Sequence, residues 1–188
     1  MRAVLDACVL YPTVLREILI GVARVGLYTP LWSERILEEW ARATVKLGPG
    51  AEAIARGEIA QLNSLFPTAS VAPRAGLAGR LWLPDPDDIH VLEAAITGSA
   101  DLIVTVNAVD FPRGILAEEG VRRDDPDHFL LSLWQSAPDA VAGVVEEVRT
   151  KAESLSGACQ PLRPLLKRAR LPRLGKALSG SGSAVDHA

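Results

Sequence analysis

The sequence predicts an α/β fold with a central, mainly parallel sheet and a helical extension at the C-terminal end. Two apolar runs are interpreted as buried strands: residues 2–10, and Leu102–Val106, whose continuous apolar character is typical of a strand covered on both faces. Between these runs, apolar residues recur at helical spacing. An order of strand, helices and strand is typical of this fold class.

Capping residues and chain breaks predict where each helix begins. Ser33 precedes an amphipathic segment, and Gly48-Pro49-Gly50 ends it before helical spacing resumes over residues 51–65 through Ile54, Ile59, Leu62 and Leu65. The predicted helix starts are Thr13, Ser33, Ala51, the Asp85–Asp88 run, Asp125–Pro126 and Pro138.

The length of 188 residues suits one domain of ordinary size with an extension. We predict a main domain over residues 1–135 and a helical extension with a basic end over residues 136–176. Residues 177–188, rich in Ser and Gly, are predicted to be a flexible tail.

No membrane association is predicted. No stretch approaches the roughly 20 apolar residues that span a bilayer, and Arg2 followed by a strand-like run is not a signal peptide. We therefore expect a cytoplasmic protein. The two cysteines, Cys8 and Cys159, indicate neither a disulfide framework nor a CxxC metal site.

Charge is distributed unevenly along the chain. Residues 1–159 carry 14 basic and 22 acidic side chains, although the whole chain has a net charge of only −3. From residue 160 onward the charged residues are Arg163, Lys167, Arg168, Arg170, Arg173 and Lys176 against Asp186. This basic tract could contact RNA phosphates, dock an acidic partner or simply be solvated, and the sequence leaves the three open.

Acidic residues lie beside apolar runs at four separate places. Because the C-terminal ends of parallel strands share one edge of a sheet, Asp6, Asn107 and Asp110 can converge there. Several carboxylates at one place imply a cation, and oxygen donors without a His or Cys cluster favour Mg²⁺ or Mn²⁺. The four places are Asp6, the pair Glu38/Glu39, the pair Asp87/Asp88, and Asp110.

Some polar residues near these runs have ordinary structural roles. Asp85 and Asp87 are interpreted as turn and helix-dipole residues, and Glu38 as part of a solvated helix face. His90 is placed outside the site, because a lone histidine more often packs or stays hydrated than binds a metal. The remaining candidates are Asp6, Glu39, Asp88 and Asp110.

Four segments, taken in order, resemble the PIN domain family and its VapC-type toxin branch, over residues 2 to about 135. The resemblance implies a three-layer α/β/α fold and a metal-dependent nuclease domain over residues 1–135. The segments are Val4-Leu-Asp-Ala-Cys-Val-Leu-Tyr-Pro12, Trp32-Ser-Glu-Arg-Ile-Leu-Glu-Glu-Trp40, Asp85-Pro-Asp-Asp-Ile-His-Val-Leu-Glu-Ala-Ala95 and Val104-Thr-Val-Asn-Ala-Val-Asp-Phe-Pro112.

The resemblance also assigns roles to residues of this chain. Thr105 and Asn107 are implied as supporting residues that orient the carboxylates or water. Cys8 departs from the pattern, because the family usually has Asn, Ser or Thr there. We expect a buried, inert thiol that replaces this hydrogen bonding poorly, so that metal binding persists while rate or substrate positioning suffers. The implied metal ligands are Asp6, Asp88 and Asp110, and Glu39 completes the catalytic acid set.

The first hypothesis is therefore a metal-dependent endoribonuclease, the toxin of a VapBC-type toxin-antitoxin pair. The resemblance implies an RNA substrate cut to leave 5′-phosphate and 3′-hydroxyl ends, a cognate antitoxin protein and a homodimer. The alternative is a catalytically weak PIN-fold module that binds RNA or a protein. Cys8 and the net negative charge of residues 1–159 favour this alternative. A phosphatase of the haloacid-dehalogenase type is disfavoured, because its second Asp would stand where this chain has Cys8.

Overall fold

The structure is a computed structural model that describes residues 1–181. Within these residues, four strands form one sheet in the order β2-β1-β3-β4, and every neighbouring pair is parallel. This sheet and the helices that follow it along the chain confirm the predicted α/β/α class with a C-terminal helical extension. The strands are β1 Arg2–Leu5, β2 Thr29–Leu31, β3 Leu102–Val104 and β4 Arg122–Asp124.

Two helices, Glu34–Ala43 and Pro126–Ser136, begin at the capping residues that the sequence predicts. Ser33 Oγ accepts a hydrogen bond from the Ile36 amide at 3.3 Å, and the Asp125 carboxylate accepts one from the Asp127 amide at 3.1 Å. The helices are α1 Ala7–Leu10, α2 Thr13–Arg24, α3 Glu34–Ala43, α4 Ala51–Leu65, α5 Ile89–Thr97, α6 Arg113–Glu118, α7 Pro126–Ser136, α8 Pro138–Ser156, α9 Leu162–Arg168 and α10 Pro172–Ser181, with 3₁₀ turns at Thr44–Leu47, Ala78–Arg80 and Pro86–Asp88.

The first strand is shorter than the predicted run over residues 2–10. β1 ends at Leu5, and the amides of Val9 and Leu10 donate to the Asp6 carbonyl oxygen at 3.0 and 3.3 Å, which starts α1. A continuous apolar run fits a buried strand and a buried helix equally well, so periodicity does not place this boundary. Asp6 nevertheless lies at the C-terminal end of the strand, as predicted.

The two edge strands were not predicted. β2 contains Pro30, whose missing N–H is tolerated at the edge of a sheet, and β4 has the polar sequence Arg122-Arg123-Asp124. Neither has the apolar run that identifies β1 and β3, because an edge strand needs less apolar cover than a central one. Backbone pairing, with Leu102 opposite Arg122, defines β4 instead.

Helix α4 lies over residues 51–65 as predicted, and only some of its apolar residues are buried. Ala55 and Leu62 are buried, whereas Ile54 is 68 % and Leu65 is 47 % exposed. Helical spacing therefore located this helix without indicating which of its apolar residues are buried.

The described residues fall into two compact units. One contains residues 1–11 and 28–124, with the whole sheet; the other contains residues 12–27 and the described chain from Asp125 onward, and so holds α2 and α7–α10. The domain boundaries at residues 135 and 136 stay predictions. Among the described residues, no helix is both long and apolar enough to cross a bilayer.

Helix α10 extends into the segment predicted to be a flexible tail. It continues to Ser181, so residues 177–181 are helical, and the rest of the 177–188 segment lies outside the described residues. The start of α10 is held by Asp127 of α7. This buried carboxylate accepts hydrogen bonds from the backbone amides of Arg173 and Leu174 at 2.9 and 3.0 Å.

The Asp127→Ala variant is expected to lose about 1–2 kcal/mol of stability, because two amides at the start of a helix lose their acceptor. The urea midpoint measures the loss. Asp139→Ala, at an exposed position in the first turn of α8, is the control and should lose less than about 1 kcal/mol. Equal midpoints for the two variants would contradict this role of Asp127.

Candidate metal centre

The site lies where β1 and β3 end side by side. Val4 pairs with Ile103 in the parallel ladder, and the Asp6 amide donates to the Val104 carbonyl oxygen at 3.2 Å. The residues that follow the two strands therefore meet at one edge of the sheet. Asp6 comes from β1, and Thr105 to Asn107 come from β3.

Three carboxylates gather at this edge. Asp85, Asp88 and Asp110 each offer an oxygen, and the three oxygens lie within 4.8 Å of one another. The 3₁₀ turn Pro86–Asp88 brings the first two together, because side chains three residues apart are eclipsed in such a turn. Asp110 reaches them from the loop after β3. We call these three residues the acidic cluster.

Asn107 bridges two members of the acidic cluster. Its Nδ2 donates to Asp88 Oδ2 at 3.2 Å and to Asp110 Oδ2 at 2.6 Å. Its backbone amide donates to Thr105 Oγ1 at 2.9 Å, which holds the loop after β3. One amide group thus links two carboxylates of the acidic cluster.

Asp6 is held by Thr105 and Cys8. Thr105 Oγ1 donates to Asp6 Oδ2 at 2.7 Å, and Cys8 Sγ donates to the same oxygen at 2.9 Å. Cys8 thus contacts Asp6 through its thiol, which is a weaker donor than a hydroxyl or amide. Burial, followed by the negative charge of Asp6, raises the pKa of the Cys8 thiol to about 12, so it stays protonated as a donor.

A bound cation would stabilise the ionised carboxylate of Asp88. Burial, then the charges of Asp6, Asp85 and Asp110, raise its pKa from 3.8 to about 6, against a smaller lowering by His90. Crowded carboxylates of this kind are an oxygen donor set suited to a hard divalent ion, whose charge relieves their repulsion. The residues present therefore fit Mg²⁺ or Mn²⁺.

Glu39 is not a member of the acidic cluster and lies beside Arg35 and His90. Its Oε1 is 3.3 Å from Arg35 Nε and 2.9 Å from Nε2 of the buried His90. Burial raises the pKa of Glu39, but these two neighbours lower it further, and the net direction is down. Glu38 next to it pairs with Arg42 and Arg56 on the helix surface, the solvated role predicted for it.

The structure brings together most, but not all, of the predicted residues. Asp88, Asp110 and Asn107 are in direct contact, Asp6 and Thr105 adjoin them, and Glu39 contacts Arg35 and His90. From the sequence, Asp85 was interpreted only as a turn residue, whereas the structure places it in the acidic cluster. Asp85 caps the turn as predicted, since its Oδ1 accepts a hydrogen bond from the Asp87 amide at 2.9 Å. Its spacing of three residues from Asp88 could have indicated that the two side chains lie on the same face of the turn.

The raised pKa of Asp88 predicts a pH-dependent stability of the metal-free protein. The folded state holds the Asp88 proton more tightly than the unfolded state, so this stabilisation is complete below pH 3.8 and is lost as pH rises through about 6. In EDTA, Tm should rise as the pH is lowered from about 7.5 to about 5.5, and metal should raise Tm at the higher pH. Asp88→Asn should flatten both responses; identical pH profiles for the variant and the intact chain would refute the assignment.

Comparison with known families identifies the class of protein. The PIN domain family matches residues 2–108, more than half of the chain, so the chain belongs to this family. PIN domains are in general metal-dependent nucleases, and the acidic cluster is a possible metal site of that kind. The matched region ends before Asp110, which joins the site by its position in the structure. No curated protein and no solved structure matches the chain.

Proposed function

We propose that the chain is a Mg²⁺- or Mn²⁺-dependent endoribonuclease that hydrolyses RNA phosphodiester bonds. The observation that carries the proposal is the acidic cluster at the end of β3, with Asn107 donating to two of its carboxylates and the pKa of Asp88 raised to about 6. Uncompensated negative charge at a sheet edge of a PIN domain favours a metal-dependent nuclease over a purely structural cluster.

We assign each residue a distinct part in the reaction. Asp88 and Asp110, with Asp6 beside them, would hold the divalent ion, which supplies an activated water and stabilises charge on the phosphate. Asn107 and Thr105 fix the carboxylates at their distances. The lowered pKa of Glu39 makes it a weak base, so we assign it an electrostatic role rather than proton removal.

We further propose a biological setting, on the strength of the resemblance to the VapC-type branch. In it the chain is the toxin of a toxin-antitoxin pair, acts in the cytoplasm as a homodimer, and is inhibited by a cognate antitoxin protein. Cleavage would leave 5′-phosphate and 3′-hydroxyl ends.

A second candidate is a PIN-fold module that binds RNA or protein with little turnover. The specific observation in its favour is Cys8, since a thiol is a weaker donor to Asp6 than the hydroxyl or amide usual in the family. Against it stands the acidic cluster itself, which a module that only binds RNA would not need.

Cleavage of a mixed RNA pool tests the proposed function. The intact chain with Mg²⁺ or Mn²⁺ should produce fragments that are substrates for 5′-phosphate-dependent ligation, and EDTA should abolish their formation. A parallel DNA pool tests the preference for RNA. Fragments that persist in EDTA would contradict metal dependence, whereas no fragments with any divalent metal would favour the binding module, with Cys8→Asn as the next variant.

A further inference from the structure

The segment of residues 160–181, which forms α9, α10 and their connection, is strongly cationic. We call it the basic hairpin. It contains six basic residues and no acidic one, and all six are exposed. The basic residues are Arg163, Lys167, Arg168, Arg170, Arg173 and Lys176.

These charges lack intramolecular neutralisation. Arg168 donates to the neutral Gln160 Oε1 at 2.6 Å, and the side chains of the other five make no ion pair or hydrogen bond within residues 1–181. Some exposed arginines elsewhere do pair, for example Arg80 with Glu119 at 2.7 Å. The basic hairpin therefore presents a positive field to solvent.

The hairpin holds its charges on a packed scaffold. Leu166 and Leu174 are fully buried, and a Cβ added at Gly175 would lie 3.2 Å from Leu166 Cβ, so α9 and α10 approach closely there. The backbone amides at the start of α10 are bound by the buried Asp127 carboxylate. Side chains on a fixed backbone lose less entropy when they bind a ligand than side chains on a disordered tail.

The chemistry of this surface favours a polyphosphate over other anionic partners. Within the described residues of the hairpin no large apolar side chain is exposed, because its leucines pack inward. Insertion into a membrane interface, or docking of an apolar helix face into a protein groove, needs exposed apolar anchors. A surface whose only binding groups are guanidinium and ammonium groups suits the phosphates of a nucleic-acid backbone, which such groups bind without contacting the bases.

We propose that the basic hairpin binds the phosphate backbone of RNA. Residues 1–159 carry 22 acidic against 14 basic side chains, and this net negative charge disfavours a polyanion, so the hairpin supplies the attraction that residues 1–159 lack. The choice of RNA as the polyanion rests on the proposed function; binding by the hairpin does not depend on turnover.

Binding of a labelled single-stranded RNA of about 20 nucleotides, measured by fluorescence anisotropy in EDTA so that no cleavage occurs, tests this proposal. The hairpin variant changes Arg163, Lys167, Arg173 and Lys176 to Gln. The matched control changes four exposed basic residues elsewhere to Gln, which removes the same charge. The control positions are Arg24, Lys46, Arg74 and Lys151.

The hairpin variant should bind RNA roughly 10- to 100-fold more weakly, and the slope of log affinity against log salt should fall by about 3, at about 0.7 for each phosphate that is no longer neutralised. The control should change affinity less than about 3-fold. Two double variants, Arg163→Gln/Lys167→Gln and Arg173→Gln/Lys176→Gln, should each produce part of the loss, with circular dichroism confirming that they fold.

Equal losses in the hairpin and control variants, or no RNA binding by the intact chain, would overturn the proposal. Equal or tighter binding to phosphatidylserine vesicles or to polyglutamate would overturn the assignment to RNA and favour a membrane or an acidic protein. Hairpin-dependent RNA binding without cleavage would leave this inference standing while the proposed nuclease function failed.

Discussion

Replacing Asp88 or Asp110 by asparagine is expected to slow RNA cleavage by about 10²–10³-fold, the size of loss seen when one group that stabilises transition-state charge is removed. Each substitution keeps the shape of the side chain but removes one negative charge from the acidic cluster. Both carboxylates accept a hydrogen bond from Asn107 Nδ2, so a neutral amide in either place also disturbs that bridge. The initial rate of cleavage at saturating Mn²⁺ measures the effect.

Asp87→Asn is the matched control, because it makes the same chemical change one residue before Asp88. The Asp87 side chain is 94 % exposed and lies 3.7 Å from Arg35, an ion pair that contributes little at the surface. The rate should stay within about 2-fold of that of the intact chain. Full activity in both cluster variants, or equal losses in all three, would place the chemistry elsewhere.

The Thr105→Val variant is expected to raise the Mn²⁺ concentration for half-maximal cleavage by about 10- to 100-fold, the usual cost of losing a group that orients a metal ligand. Thr105 is buried, and its hydroxyl donates to Asp6 Oδ2 at 2.7 Å while accepting from the Asn107 amide at 2.9 Å. Valine keeps the volume but removes both hydrogen bonds. The residue acts through Asp6 and Asn107, so it is a positioning residue.

Thr105→Ser separates this role from packing. Serine retains the hydroxyl and loses one methyl group, so stability should fall by about 1 kcal/mol while the Mn²⁺ requirement stays near that of the intact chain. Titration of the cleavage rate with Mn²⁺ distinguishes the two variants. If Ser raised the requirement as much as Val, packing rather than the hydroxyl would explain the effect.

The sequence predicted the centre of the fold better than its edges. The buried strands β1 and β3 carry continuous apolar runs, and capping residues such as Ser33 and Asp125 placed helix starts correctly. The edge strand β4 has no apolar signature and is defined by pairing with β3 alone. Long-range pairing of this kind has no local signal in a single sequence.

The site shows the same division between local and long-range information. Position after a strand predicted that Asp6, Asn107 and Asp110 could converge. Asp85 was interpreted only as a turn residue. Its carboxylate has two oxygens, so it can cap the turn and also belong to the acidic cluster. The proximity of His90 to Glu39 depends on how α3 and α5 pack, which spacing within either helix does not reveal.

Anomalous diffraction from crystals soaked in Mn²⁺, at the concentration that supports RNA cleavage, shows whether the acidic cluster binds the metal. We expect a peak about 2.1 Å from carboxylate oxygens of both Asp88 and Asp110, and its loss in Asp110→Asn crystals. RNA cleavage at that concentration with no peak at the acidic cluster, or with a peak elsewhere on the chain, would contradict this expectation.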